Sequence, residues 1–289
     1  MDRKRRLVEI FADTERFIKE NPVLRQSAEN SRKETKLYDN PAVPVLTGAA
    51  AKDSCEISVT DARTFEAAIR KSKECPDKKI AVLNFASATH PGGGVKKGAS
   101  AQEESLCRCS TLYPTLNQDW LWQKYYKKNR DMRDKLHTDA CIYSPDIIIC
   151  KSDTDFPERL PADEWHKVDV ISCAAPDLYR EPLNQYNPKA GKLVRMDSEK
   201  LYDLHLKRAK AILNTAAAND VDILITGAFG CGAFANDPYT VAEAWRDAVS
   251  DYGKFFSAIE FAVYCRPNET ENLKTFERII GNRHDYFCL

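Results

Sequence analysis

The sequence predicts an α/β fold: a sheet covered by helices on both faces, preceded by a helical extension. Three observations carry this. Short apolar runs that read as buried strands alternate with amphipathic stretches long enough for helices. Two glycine-rich loops each follow one of these runs directly, as ligand-binding loops do at the carboxyl ends of strands. The 289 residues are 43% hydrophobic and 10% aromatic, enough for a full-sized core, and contain no linker that would divide them.

Residues 1–50 read as a helical and then extended arm, with Pro41 and Pro44 fixing the extended part. The opening MDRKRRLVEIFADTERF is basic without an apolar segment, so it reads as an amphipathic helix rather than a leader. Residues 51–289 form the core domain. Ile57–Thr60 is a short strand, and Thr60 or Asp61 caps a helix presenting Phe65, Ala68 and Ile69. Lys79–Ala86 is a buried strand, followed by the first glycine-rich loop and a helix over Gln102–Tyr113. Trp120–Lys135 is aromatic, basic, helical and partly exposed. Ile147–Lys151 and Val168–Ala174 are further strands, and Pro176–Pro188 is a loop. Ser198–Asn219 is a long amphipathic helix with Leu201, Leu204, Leu206, Ala209 and Leu213 as apolar positions. The strand Val221–Thr226, the helix Pro238–Val249, the strand Ile259–Val263 and the helix Asn268–Ile280 complete the pattern.

Lys+Arg and Asp+Glu are equal at 43 each, so no chain-wide field attracts a phosphate backbone, and sequence-specific nucleic-acid binding is not expected. No apolar run reaches the ~20 residues of a membrane span, so no membrane partner is expected. The ten cysteines include no Cys-x-x-Cys, and several lie in strand-like runs, where a thiol acts as a small hydrophobe. Neither a disulfide framework nor a metal site is expected, and the reading is intracellular: cytoplasmic, or nuclear in a eukaryote.

The chemistry concentrates in the two loops. The first runs His90-Pro-Gly-Gly-Gly-Val-Lys-Lys-Gly-Ala-Ser-Ala-Gln-Glu-Glu-Ser105, the second Thr226-Gly-Ala-Phe-Gly-Cys-Gly-Ala-Phe-Ala-Asn-Asp-Pro238. Glycine lets main-chain N–H groups approach an anion, and a following helix N-terminus favours negative charge. Facing each other, such loops can hold a diphosphate. Gly93 to Gly98 has the glycine frame of a P-loop, but Ala99 stands where the lysine is required, which disfavours an ATPase or nucleotide-dependent transferase. The second loop reads G-x-x-G-x-G rather than the dinucleotide fingerprint. Gln102-Glu103-Glu104 opens the next helix. Acidic residues suit a first turn for dipole reasons alone, but carboxylates beside a diphosphate gain proton affinity and so favour a general acid.

Gly92-Gly93-Gly94, seven residues, then Gln102-Glu103-Glu104 resembles the signature of poly(ADP-ribose) glycohydrolases. LNFASATHPGGG and TGAFGCGAFAND are similar to the microbial-type branch of that family, the likeness covering roughly residues 78 to 265. It implies a macrodomain-like three-layer α/β/α fold around a central mixed sheet, and hydrolysis of the ribose–ribose bonds of poly(ADP-ribose), from the chain end, to release ADP-ribose. Glu104 would be the catalytic acid and base, Glu103 would bind ribose hydroxyls, and Gln102 would support the pair. Gly92, Gly93, Gly94 and Val95, with Gly227, Phe229, Gly230, Cys231, Gly232 and Ala233, would hold the diphosphate. Phe234 would cover the distal ribose, and Asn84, Phe85, Ser87 and Asn236 complete the implied substrate contacts. Ser87 stands where many macrodomains have a second asparagine. Neither cofactor nor metal is implied, and the partner is the polymer or an ADP-ribosylated macromolecule. His90 is not expected to be catalytic, and Cys231 is expected to be a packing residue. Tyr38 and Phe229 both remain candidates for stacking on adenine. A non-catalytic ADP-ribose reader and a mono-ADP-ribosyl hydrolase remain as alternatives; the intact acid argues against the reader.

Overall fold

In the computed structural model the protein is described over residues 2–39, 51–52, 54–132, 135–179, 196–266 and 268–281. Two helices come first, α1 (Arg3–Glu20) and α2 (Pro22–Glu34), then a short edge strand β1 (Lys36–Tyr38). The core continues β2 (Glu56–Thr60), α3 (Thr64–Glu74), β3 (Ile80–Phe85), α4 (Gln102–Cys109) and α5 (Leu112–Leu116). Next come α6 (Asp119–Leu121), a wide π turn over Trp122–Tyr126, and α7 (Lys127–Arg130). The remaining elements are β4 (Cys141–Ile149), β5 (His166–Cys173), α8 (Ser198–Ala217), β6 (Ile223–Thr226), α9 (Pro238–Tyr252), β7 (Ala258–Ala262) and α10 (Glu271–Ile279).

The strands form one mixed sheet in the order β1-β4-β5-β3-β6-β7-β2. From β5 to β2 the neighbours are parallel, while β4 and β1 add an antiparallel edge. Alternation along β3 shows why helices cover both faces: Ala81 and Leu83 pack with Leu213 and Trp245, Ile80 and Val82 with Phe65, Leu106 and Leu112. This is the expected three-layer arrangement, and the parallel strands all point their carboxyl ends at the two glycine-rich loops.

Several elements depart from expectation. The arm begins with two helices because Asn21 ends one and caps the next, its side chain accepting from the Val23 and Leu24 N–H groups ahead of Pro22. Pro41 and Pro44 lie outside the described residues, as do most of 176–188 and the pair 133–134. Neither Thr60 nor Asp61 caps α3. The cap is Arg63, whose N–H donates to the Glu66 carboxylate, while Asp61 accepts from Cys265 N–H. The helix expected over 102–113 breaks at Ser110, which bridges to Ile149. Strand β4 begins at Cys141 because the register shift between Ser144 and Ile147 absorbs Pro145, with Asp146 at a positive φ of 55°. In the stretch after Trp120 the exposure is one-sided: Tyr125 and Tyr126 are fully buried.

Helix α1 is fixed to the core by polar ties as well as by Leu7 and Phe11. Thr14 Oγ1 donates to Arg108 O at 2.7 Å, and Asp13 meets Lys151 Nζ at 2.8 Å and Arg159 Nη2 at 2.6 Å. Lys151 is buried, and the Arg159 and Lys151 contacts hold the Asp13 carboxyl well below the usual carboxylate range. Its stabilisation is therefore fully present above the unfolded value of 3.8 and lost as the pH falls below it. Asp13→Ala leaves the Lys151 ammonium with only the Ile10 carbonyl. It should cost about 2 kcal/mol at neutral pH, below the range for a fully buried pair because Asp13 is partly exposed. An unchanged urea midpoint would mean that α1 is held by its apolar face alone.

Candidate active site

A cavity of about 990 Å³ opens over the carboxyl ends of the parallel strands. Phe85, Ser87, Gly93, Gly94, Val95, Gln102, Glu103 and Glu104 line it from the β3 side. Phe229, Gly230, Gly232, Ala233 and Phe234 line it from the β6 side.

The three residues opening α4 have distinct bonding. Gln102 is a staple: its amide donates to Leu83 O at 2.8 Å and Thr64 Oγ1 at 3.0 Å and accepts from Phe85 N–H at 2.9 Å. Glu103 is buried and accepts from Ser87 N–H at 2.7 Å, Gly92 N–H at 3.2 Å and Asn84 Nδ2 at 3.4 Å. Glu104 accepts from Gly94 N–H at 2.8 Å through Oε1, while its buried Oε2 has no partner among the described residues. Burial pushes the Glu103 carboxyl up to about 8; its N–H donors oppose the rise and the adjacent Glu104 adds to it.

The main-chain N–H groups of Gly92 to Val95 in the first loop are engaged within the protein. Gly92 and Gly94 N–H donate to the carboxylates, Gly93 N–H to His90 O and Val95 N–H to Gly92 O. Through Gly92 and Gly94 the loop holds the two glutamates, and the expected diphosphate contact of Gly92 to Val95 has no unbonded N–H among these four to rest on. Gly93 has to be glycine, because its φ is 55° and a Cβ would sit 2.5 Å from Glu104 Oε1.

The second loop is the opposite case. Among the described residues, the N–H groups of Gly230, Gly232, Ala233 and Phe234 donate to no protein acceptor, so four main-chain donors remain for an anion. The loop is shaped from below by Asn236, whose amide donates to Pro176 O, Gly230 O and Phe234 O and whose Oδ1 meets His205 Nε2 at 2.9 Å. Burial pulls His205 down to about 4, so the ring is neutral at physiological pH and Nε2 donates to the amide oxygen.

Five residues expected to touch substrate do not line the cavity: Asn84, Gly92, Gly227, Cys231 and Asn236. Asn84 is fully buried under Glu103, where it also donates to Ser172 Oγ at 2.9 Å. Gly227 packs against β7, where a Cβ would lie 2.4 Å from Ala262 O. Cys231 places Sγ 3.9 Å from Phe229 O, and burial pushes its thiol up. Ser87 contributes its N–H to Glu103, and its hydroxyl accepts from Thr89 and His90 N–H. Tyr38 is ruled out as an adenine platform: it sits on β1, where its hydroxyl accepts from Asn219. Phe229 lines the cavity, but it is fully buried with its ring against Phe85 and His205.

Sequence reasoning missed the far walls. Arg3 and Leu7 of α1, Arg63, Asp153, Asp155 and Tyr264 all line the cavity. Asp155 pairs with Arg3 and Arg63, and the Arg63 guanidinium lies 4.0 Å from the centre of the half-exposed Tyr264 ring. No local motif marks these residues; only the strand order brings Arg63, after β2, beside Tyr264, after β7.

The family model of the microbial-type PARG (poly(ADP-ribose) glycohydrolase) catalytic domain matches residues 8–152, half of the chain. Among solved structures, the chain is similar to poly(ADP-ribose) glycohydrolase from Thermomonospora curvata bound to the inhibitor ADP-HPD. Identity there is 30%, with 94% of this chain and 98% of that chain covered and a TM-score of 0.76. It is likewise similar to the Deinococcus radiodurans enzyme in complex with ADP-ribose, at 32% identity, 88% and 96% coverage and a TM-score of 0.73. The comparison with curated proteins gives no match.

The raised Glu103 carboxyl fixes the sign of a pH effect. The native state holds this proton more tightly than the unfolded chain, so the contribution is full below 4.5 and is lost as the pH rises towards 8. The melting temperature of the wild type should decline across that window more steeply than that of Glu103→Gln. Parallel profiles would show that Glu103 is ionised throughout.

Proposed function

Because the chain belongs to the microbial-type poly(ADP-ribose) glycohydrolase family, we propose that Glu104 is the general acid and base of its reaction, with Glu103 as its fixed neighbour. The protein is a glycoside hydrolase acting on poly(ADP-ribose). The observation that carries the assignment is the contrast between the two carboxyls. Glu103 is held by three donors, whereas Glu104 keeps a buried oxygen without a partner in the wall of the cavity.

With the diphosphate of the terminal unit on the free N–H groups of Gly230 to Phe234, the distal ribose reaches the carboxylates above β3. Glu104 donates a proton to the leaving ribose oxygen as the C–O bond breaks. Positive charge develops at the anomeric carbon, and the carboxylate then takes a proton from the attacking water. Glu103 offers its one remaining lone pair to a ribose hydroxyl. The adenosine end then lies over β2 and β7, where Tyr264 supplies a half-exposed ring and Arg63 a cation. Phe234 borders the ribose, which supports attack from the chain end.

Helix α1 contributes Arg3 and Leu7 to this cavity, which supports reading residues 1–50 as an arm packed on the domain of 51–289. No helix among the described residues is long and apolar enough to cross a membrane. The nine described cysteines are unpaired, which supports an intracellular, reducing location.

Glu104→Gln should keep its affinity for ADP-ribose in calorimetry and lose at least ~10²-fold in the rate of ADP-ribose release from the polymer. Wild-type turnover by this variant would remove Glu104 from the role. The phosphate assignment is tested at Gly232, where an added side chain meets nothing within 4 Å of protein. Gly232→Val should fold normally and bind ADP-ribose more weakly; unchanged affinity would place the diphosphate elsewhere. Gly94 and Gly230 are poor sites for this test, since a Cβ would come within 2.8 Å of Ala99 Cβ and 2.7 Å of Ala175 Cβ.

A further inference from the structure

The aromatic and basic stretch after α5 has no part in the chemistry above, yet it reaches the cavity. Trp122, at the start of the π turn, lines it together with His90, Lys96 and Lys97. Its ring meets the His90 ring edge-on at 6.1 Å, and the Arg130 guanidinium lies 6.0 Å from its centre. The indole N–H is held by Asn117 Oδ1 at 3.0 Å, which fixes the ring plane. Lys97 and Arg130 are exposed and have no carboxylate partner among the described residues. Both raise the local positive potential enough to lower His90 further than burial alone does. Two cations with no carboxylate partner among the described residues thus stand with a partly exposed tryptophan at the rim of the cavity in a chain of zero net charge, a local concentration of positive potential.

Across the sheet the order is β2, β7, β6, β3. The proposed terminal unit follows the same order: adenosine over β2 and β7, diphosphate over β6, the bond to be broken over β3. His90 opens the turn that holds Glu104, and its ring meets Trp122, which follows α5 on the β4 side of the sheet, away from β7 and β2. What leaves Glu104 on that side is the adenosine of the next unit, carrying its own adenine and diphosphate.

We propose that Trp122, Lys97 and Arg130 form a leaving-side subsite for the second ADP-ribose unit of the polymer, with the indole meeting its base and the two cations its diphosphate. Base–aromatic stacking is sequence-tolerant and compatible with a half-buried ring, and paired cations suit a diphosphate better than a lone lysine does. The subsite rests on the assignment of Glu104. It makes this enzyme prefer a nucleotide over any other leaving group on ADP-ribose.

The test compares two substrates: poly(ADP-ribose), and ADP-ribose bearing a nitrophenyl group on the anomeric carbon of its distal ribose. The second has the same terminal unit and no nucleotide on the leaving side. Lys97→Glu combined with Arg130→Glu changes only exposed side chains, so folding is not at risk; Trp122→Ala is the second variant. Each should lower kcat/KM on the polymer by about tenfold, within the range for losing one stacked base, and leave the nitrophenyl substrate and ADP-ribose affinity unchanged. Equal losses on both substrates, or no loss on either, would overturn the subsite while leaving Glu104 in place. Failure of the wild type to turn over either substrate while still binding ADP-ribose would remove the Glu104 assignment, and the subsite with it.

Discussion

Everything at this site depends on burying two adjacent carboxyl groups at the start of one helix. A buried carboxylate without donors is costly, and the chain answers with main-chain N–H groups from the loop that follows β3. Ser87, Gly92 and Gly94 supply them, and Asn84 adds a side-chain amide. For that loop to fold back over its own helix, Gly92 and Gly93 take positive φ values of 67° and 55°. The helix in turn is held to the strand end by Gln102, which bonds both sides of the β3 terminus. The Gly-Gly-Gly and Gln-Glu-Glu motifs are thus one device: the glycines let the loop close over the buried glutamates and donate to them.

That division explains why the second loop looks so different. It carries no acidic side chain into the cavity, and four of its N–H groups are left without a protein acceptor. Unfilled donors need a reason to stay aligned, and Asn236 provides it by bonding three carbonyls from below. Neutral His205 closes that arrangement by donating from Nε2 to the Asn236 amide oxygen, which leaves the amide nitrogen for the three carbonyls. Positive φ at Gly230 permits the turn, and any side chain there would clash, since a Cβ would come within 2.7 Å of Ala175 Cβ.

How much of this was legible follows from how local each signal is. The strands Lys79–Ala86 and Val221–Thr226 and the helix Ser198–Asn219 were read within a few residues, because burial on both faces or along one stripe writes itself into consecutive positions. The start of β4 was hidden by Pro145, which argues against a strand unless the ladder bulges there. The cap of α3 was misassigned because Asp61 looks like a cap, whereas it is used by Cys265, which lies far along the chain. Within the site, residue identity was legible and function by atom was not. Nothing in Gly92 to Val95 reveals whether an N–H faces a ligand or a neighbouring carboxylate. Arg63 and Tyr264 carry no motif, because their meeting is decided by strand order alone.

Two glutamates of the same chemistry, side by side, are bonded differently by the number of donors each receives, and the roles proposed for them rest on that difference. A carboxyl tied by three N–H bonds is fixed in space, since moving it would unmake several bonds at once, and a proton gained there serves no leaving group. A carboxyl tied by one bond through one oxygen keeps the other free to give and take a proton while its position stays defined. Helix geometry enforces the split: residues one apart on α4 diverge by roughly 100° around the axis. Glu103 therefore turns towards Ser87 and the buried Asn84, and Glu104 towards Gly94 and the cavity. Exchanging the two side chains' surroundings would require a different loop, not a different pair of residues.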